Sequence, residues 1–339
     1  MKYKRIVIFE RGGQDKLKLI EDELPEPSNY QVRIKIKAAG VSFADLLMRE
    51  GVYIDMPAFP FTLGYDIVGT IDKTGASVAK FKIDDTVAAL TKTGGYSEYI
   101  LINEEELISV PSELDPSEVV SLILNYITAY QMLFRSAKIK EGETIIINGA
   151  AGGVGTALLQ LGKLKNLKMF GTASKEKLHT VRELGGIPID YKSDDFIKIV
   201  KEINPAGVDV VFEGTGKLAR RSYKILKPNG RLIVYGISSM LVNGRRNYME
   251  VIKTYLRFSI FLRNIIPNKR KVLLYQITGY KKKHPDWFKE DAAELLKLLS
   301  AKKIKPIIAH KLPLEKAALA HELLNESKVI GKIVLLPNQ

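Results

Sequence analysis

Ile145-Ile146-Ile147-Asn148-Gly149-Ala150-Ala151-Gly152-Gly153-Val154-Gly155, followed by Thr156-Ala157-Leu158-Leu159-Gln160, decides how this chain reads. Consecutive β-branched residues make a buried strand, the glycines make a turn, and the residues beyond them favour a helix. In such an arrangement the backbone can come close to a pyrophosphate, and the helix N-terminus presents N–H donors and a favourable dipole. A glycine cluster alone would serve equally well as a structural turn. The surroundings favour the first reading. Further strand candidates follow at 168–173, 187–191, 208–213, 231–236 and 271–277, with helical stretches at 154–165 and 175–184 between the early ones. Alternating strands and helices predict an α/β fold with a doubly wound, six-stranded parallel sheet of the Rossmann type. Gly152, Gly153 and Val154 are the expected phosphate contacts. A valine at Gly153 is expected to obstruct the ligand and leave the fold intact, unless the glycines serve only helix–sheet packing.

The second strand ends where an adenosine ribose lies in such folds, and an NAD-specific protein usually has an Asp or Glu there for the 2′-hydroxyl. This chain has Ser174 and Lys175, and Glu176 stands between Lys175 and Lys177 in a first helical turn, where an acidic side chain complements the helix dipole. A small hydroxyl followed by two ammonium groups suits a 2′-phosphate, which favours NADP(H) over NAD(H).

Outward from this core, the first third of the chain reads as strands at 6–9, 17–20, 32–38, 66–71 and 86–90, with one short helical segment at 43–49 ended by Gly51. A helix is expected at 117–133, and further helices at 286–303 and 314–324. The strand-like 331–336 has no partner of its own, so it is expected to return to the N-terminal sheet. One β-rich domain would then comprise 1–122 and 281–339, around a nucleotide-binding domain at 123–280. No internal repeat is evident.

The chain has 339 residues, 46% of them hydrophobic, and no cysteine, which excludes disulfides, thiolate catalysis and zinc sites built on Cys. Its four histidines, His179, His284, His310 and His321, all lie in the second half, which argues against a mixed His/carboxylate site in the first. No metal is expected. Nothing approaches the roughly 18 to 20 apolar residues needed to cross a bilayer, and a cytoplasmic location is expected. The net charge of +14 favours anionic ligands, for which solubility and a phosphate-bearing cofactor are sufficient reason. Nucleic-acid binding has no motif behind it beyond charge.

Taken together, these segments resemble the medium-chain dehydrogenase/reductase superfamily over nearly the whole chain, which implies a GroES-like catalytic domain beside the Rossmann domain. Ala38-Ala39-Gly40-Val41-Ser42-Phe43-Ala44-Asp45 with Gly51 resembles its first active-site segment. Pro60-Phe61-Thr62-Leu63-Gly64-Tyr65-Asp66-Ile67-Val68-Gly69 resembles the segment that carries Gly-His-Glu in the zinc alcohol dehydrogenases. Ser42 stands where those enzymes have a catalytic Cys and Tyr65 where they have His, and the structural zinc lobe is missing. The resemblance therefore narrows to the zinc-free quinone oxidoreductases, whose chemistry is reduction of quinones or activated alkenes by NADPH. Asn125-Tyr126-Ile127-Thr128-Ala129-Tyr130, Asn243-Gly244-Arg245-Arg246-Asn247 and Lys328-Val329-Ile330-Gly331-Lys332 are most similar to the VAT-1 branch.

The resemblance implies Lys177, Tyr191 and Lys328 as 2′-phosphate neighbours, and places Ser42, Asp45 and Thr128 near the nicotinamide or substrate. Ser174, Tyr235 and Gly236 complete the cofactor set. Leu47 stands where many quinone oxidoreductases have Tyr. Without a metal, any oxyanion needs a donor, and Tyr53 and Thr128 are the candidates, each also readable as a packed wall residue. Asp45 is read either as a catalytic carboxylate or as a cap of its short segment. The basic, aromatic-rich stretch at 245–271 suits a cover over a small-molecule quinone or enone, a homodimer contact, or a peripheral anionic membrane surface.

Overall fold

A computed structural model describes residues 1–53, 55–192, 194–216, 218–236, 241–242, 245–246, 249 and 269–338. All but a few residues of the 243–247 loop and the 245–271 stretch singled out in the sequence lie outside these described residues. The described chain forms two compact units, one from Met1–Leu124 with the chain from Ala292 onward, the other from Asn125–Val242 with the chain up to Asp291.

In the first unit, β1 (Lys2–Ile8) pairs antiparallel with β2 (Lys18–Glu23) and with β4 (Phe61–Thr62). A larger sheet is centred on β3 (Gln31–Val41), flanked by β5 (Asp66–Thr74) and by β7 (Tyr99–Asn103), with β6 (Thr86–Leu90) and β8 (Ile108–Ser109) beyond β5. The final strand, Lys332–Leu336, returns to this sheet, setting Ile333 opposite Val41 and Leu335 opposite Ala39. Its other neighbour is Ile308–Pro313, which runs parallel to it. The alternation along β3 puts Val32, Ile34 and Ile36 wholly inside while Lys35 and Lys37 face outward.

In the second unit, β9 (Thr144–Asn148), β10 (Lys168–Ala173), β11 (Ile187–Asp190), β12 (Val208–Glu213), β13 (Leu226–Val234) and the strand Lys271–Leu274 form one parallel sheet. Their order is β11-β10-β9-β12-β13 and then Lys271–Leu274, as expected for a doubly wound sheet. All of β9 is buried, as a central parallel strand covered on both faces requires.

Two expected elements differ. The helix over 117–133 is α2 (Pro116–Ser121) and α3 (Ile127–Tyr130), joined and followed by wider π-helical turns at Leu122–Tyr126 and Gln131–Ser136. An apolar spacing cannot reveal such turns, which differ from α in hydrogen-bond partner rather than in composition. The last strand candidate stops at Leu274, and Ile277 opens the helix Ile277–Lys283.

One ion pair locks the returning strand into the first unit. Lys332 Nζ donates to both oxygens of Asp66, at 3.1 and 2.9 Å, and both residues are buried. Gly40 on β3 leaves the room, because a Cβ there would fall on both side chains. Burial pushes the Asp66 carboxyl above its usual range while Lys332 opposes the shift. Removing one partner strands a buried charge, so Lys332→Met is expected to cost about 3–5 kcal/mol. The double variant Asp66→Asn/Lys332→Met should lose less, and urea denaturation monitored by circular dichroism checks both.

Candidate active site and nucleotide loop

In the first unit the site residues gather at the start of α1 (Phe43–Arg49). Its N-cap is Ser42, and the capping box is closed from both sides. Ser42 N–H and Oγ–H donate to Asp45 Oδ2 at 2.8 and 2.7 Å, and Asp45 N–H donates back to Ser42 Oγ at 3.3 Å. Asp45 Oδ1 accepts from Gly64 N–H at 3.1 Å, so one carboxylate ties the helix start to the segment that carries Tyr65. Asp45 has no exposed surface, and burial pushes its carboxyl up to about 6 against the pull of the Ser42 and Gly64 hydrogen bonds. Of its two expected roles, this geometry fits the cap.

Tyr53 lies beside this helix, half-buried, with its hydroxyl 2.7 Å from that of the buried Tyr65 and the rings edge to face. At the end of the same helix, Arg49 meets the buried His321 at 3.2 Å, and His321 meets the buried Tyr96 at 3.1 Å. No motif pointed to them. His321 in particular sits among apolar residues on the helix Ala317–Asn325, as any core histidine does.

In the second unit, β9 runs into the glycine turn and α4 (Gly153–Lys163). Ala150 N–H and Gly149 N–H bond to the carbonyl and hydroxyl of Thr172, which pins the turn to β10. Asn148 Nδ2 donates to Glu213 at 2.6 Å and to Ser222 at 2.8 Å. The other Glu213 oxygen accepts from Thr215 and Gly216, so the loops after β9 and β12 share one buried carboxylate. Burial raises its pKa, and these donors oppose the shift.

The glycines of the turn are not equivalent. Gly152 is exposed, with φ −77°, and the nearest atom to a Cβ there would be Gly149 O at 3.5 Å. A Cβ on Gly155 would fall on the Gly149 carbonyl, which the turn cannot move without opening. A Cβ on Gly153 would fall on the Asn125 side chain, which is itself buried. This corrects the expectation for Gly153. A side chain there meets the protein before any ligand, and the open position is Gly152.

At the far end of β10, Ser174 caps a short turn, its hydroxyl bonded to the exposed Glu176. Lys177 is half-buried and burial lowers its pKa, whereas Tyr191 is exposed and its N–H bonds to Ala173 O. Lys328 belongs to the first unit, exposed and ion-paired with Glu326 at 2.6 Å, while Lys177 and Tyr191 belong to the second. Val154 is in the first turn of α4, and Tyr235 and Gly236 follow β13. The Tyr235 ring lies so close over Gly214 that a Cβ there would come within 2.6 Å of its hydroxyl, and burial raises its pKa.

Thr128 is buried in α3. Tyr275 is buried as well, and its hydroxyl donates to Gln131 Oε1 at 2.8 Å.

A GroES-like mixed sheet and a doubly wound parallel sheet in one chain define a medium-chain dehydrogenase/reductase. Family models agree, "Alcohol dehydrogenase GroES-like domain" matching residues 28–112 and "Zinc-binding dehydrogenase" matching 186–335. The synaptic vesicle membrane protein VAT-1 homolog of Rattus norvegicus is 34% identical over 338 residues, 98% of this chain and 83% of that protein. The quinone oxidoreductase of Homo sapiens is 31% identical, covering 97% of this chain and 96% of its own. The crystal structure of Escherichia coli quinone oxidoreductase complexed with NADPH superposes with a TM-score of 0.87 at 27% identity, over 98% of this chain and all of that one. The chain belongs to the quinone oxidoreductase-like family of this superfamily, beside the VAT-1 homologues.

The zinc of the family model's name does not fit these residues. The Ser42 hydroxyl hydrogen is held by Asp45, the Tyr65 hydroxyl meets Tyr53, and Asp66 is neutralised by Lys332. None of these is the imidazole or thiolate that such a site uses.

The turn yields a stability test. Gly155→Ala is expected to lower stability by about 1–3 kcal/mol through overpacking, and Gly152→Ala to leave it within about 0.5 kcal/mol of wild type, as an unstrained surface change should. Thermal melting of both variants decides, and equal losses would mean the turn is packed otherwise.

Proposed function

We propose that the chain is a zinc-independent, NADPH-dependent reductase that transfers hydride to a quinone or to an activated alkene or carbonyl. The observation that carries this reading is the turn after β9, where Gly152 is open and the first N–H groups of α4 have no acceptor within the helix. The half-buried Lys177 near the end of β10, where NAD-specific folds place an acidic residue, favours the 2′-phosphate of NADPH. The NADPH complex of the Escherichia coli relative supports the same choice.

Bound NADPH would supply two electrons and one hydrogen as hydride from the nicotinamide C4. A quinone that takes up that hydride and one proton becomes a hydroquinone, an enone becomes a saturated ketone, and NADP⁺ remains. The protein's part is to bind, orient and exclude water. Tyr53 is the residue proposed to hold the proton, because its hydroxyl is half-buried and paired with a second hydroxyl that can replace the hydrogen it gives. Ser42, with its hydrogen committed to Asp45, accepts rather than donates, and Thr128 is the second candidate donor. A homodimer joined at the outer edge of the six-stranded sheet, along Lys271–Leu274, belongs to this reading.

NADPH oxidation over a panel of simple quinones and enones tests it. Turnover is expected with NADPH in preference to NADH, unchanged by chelators and without zinc in metal analysis. Lys177→Ala should narrow the preference, and Gly152→Val should weaken NADPH binding at least about tenfold, or ~1.4 kcal/mol, with little loss of stability. Equal NADPH and NADH affinities, or one firmly bound zinc per chain, would overturn the assignment. NADPH binding with no turnover across the panel would favour the second reading, a membrane-associated lipid- or partner-binding protein, the VAT-1 relatives being named synaptic vesicle membrane proteins. Among the described residues no helix is long and apolar enough to cross a membrane.

A further inference from the structure

Two stretches of the first unit are tied together twice. One leaves α1, where Gly51 turns the chain with φ 70°, Val52 N–H donates to Leu47 O at 3.0 Å, and Tyr53 and Asp55 follow. The other joins Gly64 and Tyr65 to the residues just after β6. There Thr91 N–H and Lys92 N–H both donate to Tyr65 O, at 2.9 and 3.1 Å, and the Thr91 hydroxyl donates to Gly64 O at 2.7 Å. The first tie is the Tyr53–Tyr65 hydroxyl pair at 2.7 Å. The second is the Lys92 ammonium, which donates to an Asp55 carboxylate oxygen at 2.8 Å and to the Asp55 carbonyl as well.

The backbone is bent at both ends of the second tie. Asp55 has φ 60° and Lys92 φ 65°, left-handed values that are uncommon outside glycine and that aspartate tolerates better than lysine. Such bends persist where surrounding contacts hold them, and they cluster at functional sites. The Asp55 side chain is 84% exposed, so the ion pair itself adds little to stability. Its effect on geometry is larger. Asp55 is next but one to Tyr53, and the ammonium grips the main chain there as well as the carboxylate, which limits how far the Tyr53 ring can swing from Tyr65.

We propose that Lys92 is a positioning residue for the reductase site, strapping the segment that carries Tyr53 through Asp55 and so keeping the Tyr53 hydroxyl on that of Tyr65. Lys92 thereby acts on a hydroxyl that it does not touch, a role that rests on the proton-holding part proposed for Tyr53. The competing role for the same ammonium is direct, as a cation that meets the developing negative charge. Removing the Asp55 carboxylate separates the two: it frees a direct cation to do more, and it leaves a strap to do less.

In the full-length protein, the ¹³Cζ resonance of Tyr53 reports the hydroxyl pair whether or not the chain is a reductase. Tyr65→Phe removes the pair outright and sets the direction of the change. Lys92→Met is expected to move the resonance the same way, and Lys92→Arg, whose guanidinium can meet a carbonyl and a carboxylate together, to leave it near the wild-type position. A Tyr53 resonance unmoved in Lys92→Met would overturn the proposal. With saturating NADPH and a simple quinone, Lys92→Met should lower kcat at least about fivefold, since small displacements at a reacting centre are costly. KM should stay within about twofold, as expected when ground-state binding is untouched. The melting temperature should fall by no more than about 3 °C, as the loss of an exposed pair implies. Lys92→Arg should recover most of the turnover. Asp55→Asn keeps the main-chain carbonyl and a residue that tolerates the left-handed bend, so it should lower kcat by less than Lys92→Met does. The double variant should be no slower than Lys92→Met alone, as residues acting through one contact require. A folded Lys92→Met with wild-type kcat, a faster Asp55→Asn, or losses that multiply in the double variant would each refute the strap. If the wild-type chain turns over no quinone at all, the reductase reading fails separately, and the Tyr53 resonance still decides whether Lys92 holds the hydroxyl pair.

Discussion

An ionised carboxylate taken out of water costs several kilocalories per mole unless fixed donors surround it, and three such groups organise this chain. Asp66 is met by Lys332, Asp45 by Ser42 and Gly64, and Glu213 by Asn148, Thr215 and Gly216. Each stands where backbone direction changes, at the first residue of β5, in the first turn of α1 and at the last residue of β12. Because each needs donors from elements far apart in sequence, satisfying it fixes those elements to one another. The returning strand Lys332–Leu336 is held in this way to β3 and β5, and the loops after β9 and β12 to each other.

The same constraint decides what the nearby hydroxyls can do. A hydroxyl has one hydrogen, and a neighbouring carboxylate or carbonyl that takes it leaves only lone pairs for a ligand. Ser42 gives its hydrogen to Asp45, and Tyr275 gives its own to Gln131, whose amide donates to Asp291. Residue type alone ranks Ser and Tyr as interchangeable donors, and the network separates them.

What was legible in the sequence follows from the range of the forces involved. The glycine turn, the central strands of the parallel sheet and the Ser42-to-Asp45 segment are local, and periodicity and spacing report local structure well. Thr144–Asn148, Lys168–Ala173 and Val208–Glu213 lie where their apolar runs put them. The contact between Gly153 and Asn125 joins residues far apart in the chain, so the turn read as open at a position where it is closed. His321, Tyr96 and Arg49 were invisible for the same reason, since each looks like an ordinary core residue until the fold brings them together. The π-helical turns around Ile127–Tyr130 escaped for a different one. They change which carbonyl each N–H reaches and leave the apolar pattern almost unaltered.

Charge balance gives the proposed chemistry its limit. In the zinc alcohol dehydrogenases a cation stabilises the oxygen that carries negative charge, and in this chain Lys332, which reaches the corresponding segment, is bonded through its ammonium to both oxygens of Asp66. A neutralised ammonium in a buried pair exerts little field on a third group, and Tyr53 offers a hydrogen bond rather than a charge. An isolated ketone that takes up hydride would place a full charge on one oxygen, with no metal cation of the zinc-enzyme kind to receive it in this reading. A quinone or an enone spreads that charge over its own conjugated system before any proton arrives, so it asks of the protein only orientation, dryness and one donor. The buried Asp66–Lys332 pair is therefore in keeping with the proposed quinone or enone substrate.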